Sequence, residues 1–252
     1  MTTTTPVSSQ PRKPVLDRDT AMRLAATEYV RCGDLLRRIP LAKWTTATDC
    51  PSWDVRALAA HMLGMAEMAA SMVESVRQNL AAARRGGLFI DALTATQVAK
   101  HEALSPTELV DRFTVTGPRA ARGRLRTPGL IRSRTMPGVQ TVGDAEERWT
   151  FGYLMDVILT RDPWMHRVDL SRAVEIPLDL TPDHDGVLVA DVVQEWAGRH
   201  SQPYRLHLTG PAGGSWLAGT DGPEMELDAI EFCRILSGRA SGAALLETQV
   251  PF

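Results

Sequence analysis

Before residue 178, apolar side chains recur at intervals of three and four along most of the chain. This spacing places them on one face of an α-helix. It predicts four long helices, at about Asp17 to Arg38, Asp54 to Arg84, Ala95 to Arg124 and Asp144 to Val174. Proline lacks a backbone N–H, so Pro163 predicts a kink or a restart in the last of them. Long helices joined by short connections predict a bundle.

The pattern changes after Ile176. One more helix is predicted in "PDHDGVLVADVVQEWAGRH", followed by the short alternating pieces "YRLHLTG", "GSWLAG" and "EMELDA". Alternation between turns rich in Gly and Pro is typical of strands, and "AIEFCRILSGRA" returns to helical spacing. The predicted organisation is therefore a disordered tail at residues 1–16, an all-α bundle at 17–177 and a small α+β domain at 178–252. The fold class is α+β.

Composition limits the classes of partner and the cellular location that we expect. With 28 basic and 30 acidic residues, no overall field attracts nucleic acid or an anionic membrane. The arginines between Arg119 and Arg134 are a local exception, but no aromatic residues alternate with them, so solvated loop charge is expected. Three scattered cysteines and the absence of an apolar run of ~18 residues indicate a cytoplasmic protein without a membrane span. We expect a monomer or a homodimer.

The stretch "TRDPWMHRVDL" contains the strongest candidate chemistry. Asp162 and His166 are four residues apart, so a helix would present both on one face. Imidazole and carboxylate are zinc ligands, and a catalytic zinc site usually has three protein ligands and one open position. His61, in "ALAAHMLGMAEM", is the candidate third ligand. Spacing alone leaves other interpretations open: a surface pair, an N-cap at Asp162 before Pro163, and a buried structural histidine at 61.

Two segments together resemble a known family. "ATDCPSWDVRALAAHMLGM" is similar to the motif (C/S)-P-x-W-x-V-x-x-L-x-x-H of the maleylpyruvate isomerase N-terminal family, which belongs to the wider DinB-like metal-dependent bundles. "YLMDVILTRDPWMHRVDLSRA" resembles its second signature, in the same order along the chain. The end of the chain is similar to the small sheet domain that often follows this bundle, and its element order resembles sterol-carrier-like domains. The resemblance covers residues 20 to 245.

The resemblance implies a zinc-type divalent metal site of His61, Asp162 and His166. Such a site would activate a low-molecular-weight thiol, usually mycothiol, for attack on a small-molecule electrophile. The isomerase has Glu where this chain has Asp162, which favours a thiol S-transferase over the maleylpyruvate-type cis-trans isomerase.

Residues around the ligands have predicted roles as well. Arg167 and Asp169 can orient the ligands or bind polar groups of the thiol, and Asp169 is a candidate partner for a ligand histidine. Arg239, in "SGR", resembles an arginine that helps to bind the substrate carboxylate. A non-enzymatic metal-binding or small-ligand-binding protein remains the alternative outside enzymology.

Overall fold

The structure, a computed structural model, describes residues 10–51 and 53–252. The α-helices are α1 (Arg18–Arg38), α2 (Val55–Ala70), α3 (Met72–Arg85), α4 (Phe89–Lys100), α5 (Pro106–Arg126), α6 (Gly129–Arg132), α7 (Phe151–Tyr153), α8 (Leu159–Val174), α9 (Val187–His200) and α10 (Ala229–Leu236). The strands are β1 (Gln140–Val142), β2 (Ala145–Glu147), β3 (Tyr204–Thr209), β4 (Gly214–Ala218) and β5 (Glu224–Asp228). The predicted fold class, a helical bundle with a small α+β part, is confirmed.

The chain forms two compact units. One, the helical unit, contains Arg18–Pro128 and Asp162–Leu178. The other, the mixed unit, contains the described residues up to Asp17, Gly129–Arg161 and Asp179–Phe252. One junction between the two units falls after Leu178. The segment Gly129–Arg161, expected in the bundle, lies instead in the mixed unit.

Buried charge explains why this segment joins the mixed unit. Arg161 donates to Asp191 at 2.6 Å and to Glu195 at 2.7 Å, and both carboxylates lie on α9. Residues 1–9 of the predicted tail lie outside the described residues. At Arg12, the backbone N–H donates to the Arg148 carbonyl at 2.7 Å, which attaches this part of the predicted tail to the mixed unit.

Helices α1, α2 and α5 pack around an apolar core in the helical unit. Leu36, Leu58, Leu63 and Phe113 in this core are almost completely buried. Helices α2 and α5 approach closely because α5 has a glycine at the contact. A Cβ atom built on Gly123 would lie 2.2 Å from the carbonyl oxygen of Ala69.

The predicted second helix is two helices. At Ser71 the backbone is extended (φ −147°, ψ 120°), its N–H donates to the Glu67 carbonyl at 3.1 Å, and its Oγ accepts from the backbone N–H of Glu74 at 3.3 Å. One serine therefore ends α2 and caps α3. The predicted end of α3 is confirmed, since Gly86 follows it with a positive φ of 73°.

The third and fourth predicted helices also differ from the structure. The third is divided into α4 and α5, and α5 begins with a capping box of Ser105 and Glu108. The fourth was predicted from Asp144, but the chain first forms the β1–β2 hairpin, in which Gln140 lies opposite Glu147. The helix does not restart at Pro163, which lies inside α8. The change in helical geometry comes earlier, at the π-helical segment Leu154–Ile158.

The arginine-rich segment is not a solvated loop throughout. Most of it continues α5, where Arg124 is 1% exposed. Arg132, in α6, is buried and forms an ion pair with Asp156 in the mixed unit. A buried guanidinium needs such a carboxylate partner, which no periodicity in the sequence reveals.

The mixed unit contains a three-stranded sheet in the order β4-β3-β5. Strand β3 pairs antiparallel with β4 and parallel with β5, and its Tyr204, Leu206 and Leu208 are buried. The three predicted strands are confirmed. Among the described helices, none has both the length and the apolarity that crossing a lipid bilayer requires.

The contact between α2 and α5 gives a stability prediction. Gly123→Ala would place a methyl group against the α2 backbone, which cannot move as a side-chain end can. We expect the free energy of unfolding to fall by about 1–3 kcal/mol in denaturant titrations, although alanine is the better helix former.

Gly198→Ala is the matched control, because Gly198 is also helical but a Cβ there meets no atom within 4 Å. This variant should be neutral or stabilised by up to about 1 kcal/mol. Equal effects of the two substitutions would contradict the close approach of α2 and α5.

Candidate metal centre

A short loop held by backbone hydrogen bonds positions the start of α2. The backbone N–H of Thr48 donates to the Trp53 carbonyl at 3.0 Å, and that of Val55 donates to the Thr46 carbonyl at 3.0 Å. Asp54 then caps α2, since its Oδ1 accepts from the Ala57 N–H at 2.8 Å. The helix therefore begins at a fixed point, and His61 lies two turns later on its buried face.

His61, Asp162 and His166 meet inside the helical unit. The Asp162 Oδ1 atom lies 3.3 Å from His166 Nε2 and 3.7 Å from His61 Nε2. The two imidazole rings are perpendicular, with centroids 5.2 Å apart. The Trp53 ring lies 4.9 Å from that of His61 and covers this side of the group. Asp162 is within α8, so it is not the N-cap that spacing alone allowed.

The donor set and its spacing fit a divalent cation. Zinc binds imidazole nitrogen and carboxylate oxygen at about 2.0–2.2 Å, so ligand atoms of a tetrahedral site are about 3.3–3.6 Å apart. The two distances to Asp162 Oδ1 are close to that range, and the candidate ligand atoms all lie within 4.8 Å of one another. Both histidines are buried, at 4% and 5% exposure, so they are held in place before any ion arrives.

The electrostatics of the group favour ionised side chains. Burial works against the Asp162 carboxylate, but the charge of His166 and the hydrogen bond from His166 hold the pKa of Asp162 well below its usual value. Burial also disfavours a protonated His166, yet the charge of Asp162 and hydrogen bonds to Asp162 and Asp169 raise the His166 pKa well above its usual value. An ion at this position would take over the positive charge that the proton supplies.

Each imidazole is also held at its other nitrogen. His166 Nδ1 lies 3.0 Å from Oδ2 of Asp169, a carboxylate with no exposed surface. His61 Nδ1 lies 2.7 Å from Gln97 Oε1 on α4. Such partners fix the orientation of metal-binding histidines. The structure thus brings Asp169 to His166, as the sequence suggested, whereas Gln97 was missed.

Cys50 is a second residue that the sequence analysis left out of the site. Its Sγ lies 3.3 Å from Asp169 Oδ2 and 3.7 Å from His166 Nδ1. Cys50, His166 and Asp169 also have the spacing of a metal-binding group. However, His166 Nδ1 cannot donate its proton to Asp169 and coordinate an ion at once. The hydrogen bond accounts for the buried carboxylate, so we assign the ion to the Nε2 side.

The guanidinium of Arg167 pairs with α1, and Arg239 belongs to the other compact unit. Arg167 is 2% exposed, and its guanidinium donates to both carboxylate oxygens of Glu28 on α1, at 2.6 and 3.1 Å. Arg239 follows α10 in the mixed unit, where its backbone N–H donates to the Arg234 carbonyl at 2.9 Å. A contact between Arg167 and a bound thiol would require the pair with Glu28 to open.

This buried pair leads to a testable difference. Glu28→Gln would remove the carboxylate that pairs with Arg167 in the core, and we expect the free energy of unfolding to fall by about 3 kcal/mol. Asp34→Asn, on the same helix, breaks the exposed pair with Arg37 and should cost less than about 1 kcal/mol. Chemical denaturation of both variants measures the difference. Equally mild effects would show that Arg167 does not depend on Glu28 and is available to a ligand.

Comparison with known structures identifies similar folds. Two solved structures are similar: a mycothiol-dependent maleylpyruvate isomerase, at 18% identity and a TM-score of 0.57, and a variant of that enzyme with a His→Ala substitution, at 17% and 0.56. The first similarity covers 90% of this chain and 92% of the other, and the second covers 90% and 91%. At this identity the similarity establishes the fold. No curated protein matches the chain.

The sequence profile of the mycothiol maleylpyruvate isomerase N-terminal domain matches residues 25–171, which include both histidines and Asp162. The match extends over more than half of the 252 residues. The chain belongs to the mycothiol maleylpyruvate isomerase N-terminal domain family.

Proposed function

We propose that this protein is a metal-dependent enzyme that uses a low-molecular-weight thiol, with mycothiol as the expected thiol. The observation that carries the proposal is the meeting of two buried histidines, His61 and His166, with the half-buried Asp162 at the spacing of metal ligands. Family membership supports the thiol, because the family and its solved relatives are named for mycothiol.

The three side chains would hold one divalent cation and leave a position for the thiol. Two imidazoles and one carboxylate are the donor set of many catalytic zinc sites, so zinc is the expected ion. A bound ion of this kind supplies the positive charge that lowers the pKa of a thiol and makes it a thiolate at neutral pH.

The surrounding residues would prepare the ligands. Asp169 lies against Nδ1 of His166 and Gln97 against Nδ1 of His61, so each histidine would present its Nε2 lone pair to an ion bound beside Asp162. Trp53 shields this side of the group from water, which strengthens the electrostatic interactions inside. Recognition of a substrate carboxylate by Arg239 is part of the proposal and rests on the resemblance alone.

Within this class we favour S-transfer, in which the thiolate sulfur forms a bond to an electrophilic carbon. That carbon either loses a leaving group with its bonding electron pair, or belongs to a double bond whose other carbon takes the thiol's proton, and the thioether is released. The reason for this preference is Asp162, which stands where the isomerase has a glutamate. Cis-trans isomerisation is the second candidate, because both similar structures are isomerases. In that reaction the thiol adds to a double bond, allows rotation and is regenerated.

Metal content tests the proposal directly. Protein purified without chelators should contain about one equivalent of zinc or a related ion by elemental mass spectrometry. His61→Ala and His166→Ala remove a ligand each and should lower metal affinity at least about 100-fold. His207→Ala is the control, since that histidine is exposed on β3, where its Nδ1 lies 2.9 Å from the hydroxyl oxygen of Ser215.

The outcomes separate the candidate functions. Consumption of thiol with a soluble electrophile, lost in His166→Ala but not in His207→Ala, would support the transferase. Isomerisation of maleylpyruvate with no net loss of thiol would support the isomerase. Metal binding without either activity would leave a metal-binding protein, and no metal binding even after reconstitution would refute the proposal.

A further inference from the structure

We infer that Gln97, itself held by Gln78, is a positioning residue that fixes the tautomer of His61. In this tautomer Nδ1 carries the proton and the Nε2 lone pair faces Asp162. The inference rests on the proposed function, because it assigns a role to a residue that supports a metal ligand. It starts from the contact of 2.7 Å between His61 Nδ1 and Gln97 Oε1.

The backbone carbonyl of Gly64 fixes the orientation of the Gln78 amide, because a carbonyl oxygen can only accept a hydrogen bond. The side chain of Gln78 reaches the carbonyl oxygen of Gly64 at 3.2 Å and the Glu74 carboxylate at 3.0 Å. Both partners accept hydrogen bonds and neither donates. Only the NH₂ group of Gln78 can face them, so its oxygen has to face the other way.

The oxygen of Gln78 in turn fixes Gln97. Gln78 Oε1 accepts from Gln97 Nε2 at 3.0 Å, and the same NH₂ group lies 3.0 Å from the Met65 sulfur and 3.2 Å from the Met68 sulfur. Thioether sulfur is a weak acceptor, which is consistent with a donor in this position. The oxygen of Gln97 therefore faces His61.

An amide oxygen can only accept, so His61 has to donate from Nδ1. A neutral imidazole with its proton on Nδ1 has its lone pair on Nε2, the atom that lies 3.7 Å from Asp162 Oδ1. The tautomer of His61 is thus determined by a series of hydrogen bonds that runs through Gln97 and Gln78 and ends at the Gly64 carbonyl. With the other tautomer, the Nε2 proton would block coordination.

The two glutamines are packed tightly inside the helical unit. Gln97 has no exposed surface, and Gln78 is 3% exposed. A Cβ atom built on Gly64 would lie 2.6 Å from both Cβ and Cγ of Gln97. Glycine at this position, one turn after His61, is what lets Gln97 reach the imidazole.

The supports of the two histidines differ in charge. Asp169 places a negative charge behind His166, whereas Gln97 is neutral and adds none behind His61. A divalent ion would then be balanced by Asp162 and Asp169 alone. The neutral amide fixes the direction of the lone pair without making the site more negative.

The experiment uses the full-length chain and two substitutions of Gln97. Gln97→Met has a similar length but no oxygen, so the His61 proton should distribute over both nitrogens. Gln97→Glu retains an acceptor and should preserve the Nδ1–H tautomer. Imidazole ¹⁵N NMR on the metal-free protein reads the tautomer, and competition with a chelator reads zinc affinity. We expect affinity to fall about 10–100-fold in Gln97→Met and to change only a few-fold in Gln97→Glu.

Gly64→Ala is an independent variant, since it displaces Gln97 without changing the amide and should resemble Gln97→Met. Gln194→Met, at an exposed position of α9, is the matched control and should leave both readouts unchanged. Thermal unfolding of every variant shows whether the fold is retained. If Gln97→Met does not fold, the wild-type spectrum and Gln97→Glu still test the assignment.

The failure of this inference is distinguishable from that of the proposed function. An Nε2–H tautomer in the wild-type protein, or zinc affinity in folded Gln97→Met equal to that of the wild type, would overturn the role of Gln97. An Nδ1–H tautomer that is lost in Gln97→Met, in a protein that binds no metal, would uphold the role of Gln97 and refute the metal site.

Discussion

The structure of the helical unit is organised around one half-buried carboxylate. Asp162 has two imidazoles as its neighbours, and both approach the same oxygen atom. A carboxylate largely removed from water requires hydrogen bonds or positive charge around it. The positions of α2, α4 and α8 follow from this requirement, because His61, its partner Gln97 and His166 come from these three helices.

Close helix packing makes that arrangement possible. Gly123 allows α5 to touch the α2 backbone, and Gly64 allows the side chain of Gln97 on α4 to reach the far side of His61. Arg167 follows His166 directly on α8, and it forms a buried ion pair with Glu28 on α1. The ligands are therefore held by contacts with several neighbouring helices, and little side-chain freedom remains to be lost when an ion binds.

The sequence pointed to the three candidate ligands and to helical structure around each of them. Asp162 and His166 are one helical turn apart, and the motif around Trp53 and His61 is compact, so both signals are local. The break at Ser71 was not predictable from periodicity, because the apolar spacing continues across it and the cap involves a single hydroxyl. Gln97 was missed for a different reason: one glutamine in a helix has no local signature, and its role depends on a glycine 33 positions earlier in the chain. Likewise, only the fold reveals that Arg132 is buried beside Asp156.

X-ray absorption spectroscopy of the zinc-loaded full-length chain, before and after addition of a low-molecular-weight thiol, tests the central claim most directly. The account predicts only nitrogen and oxygen ligands at about 2.0–2.2 Å without thiol, including two imidazoles, and a new sulfur ligand at about 2.3 Å once thiol is added. Sulfur in the thiol-free protein would place Cys50 on the metal. That result, or no sulfur at saturating thiol, would contradict the account.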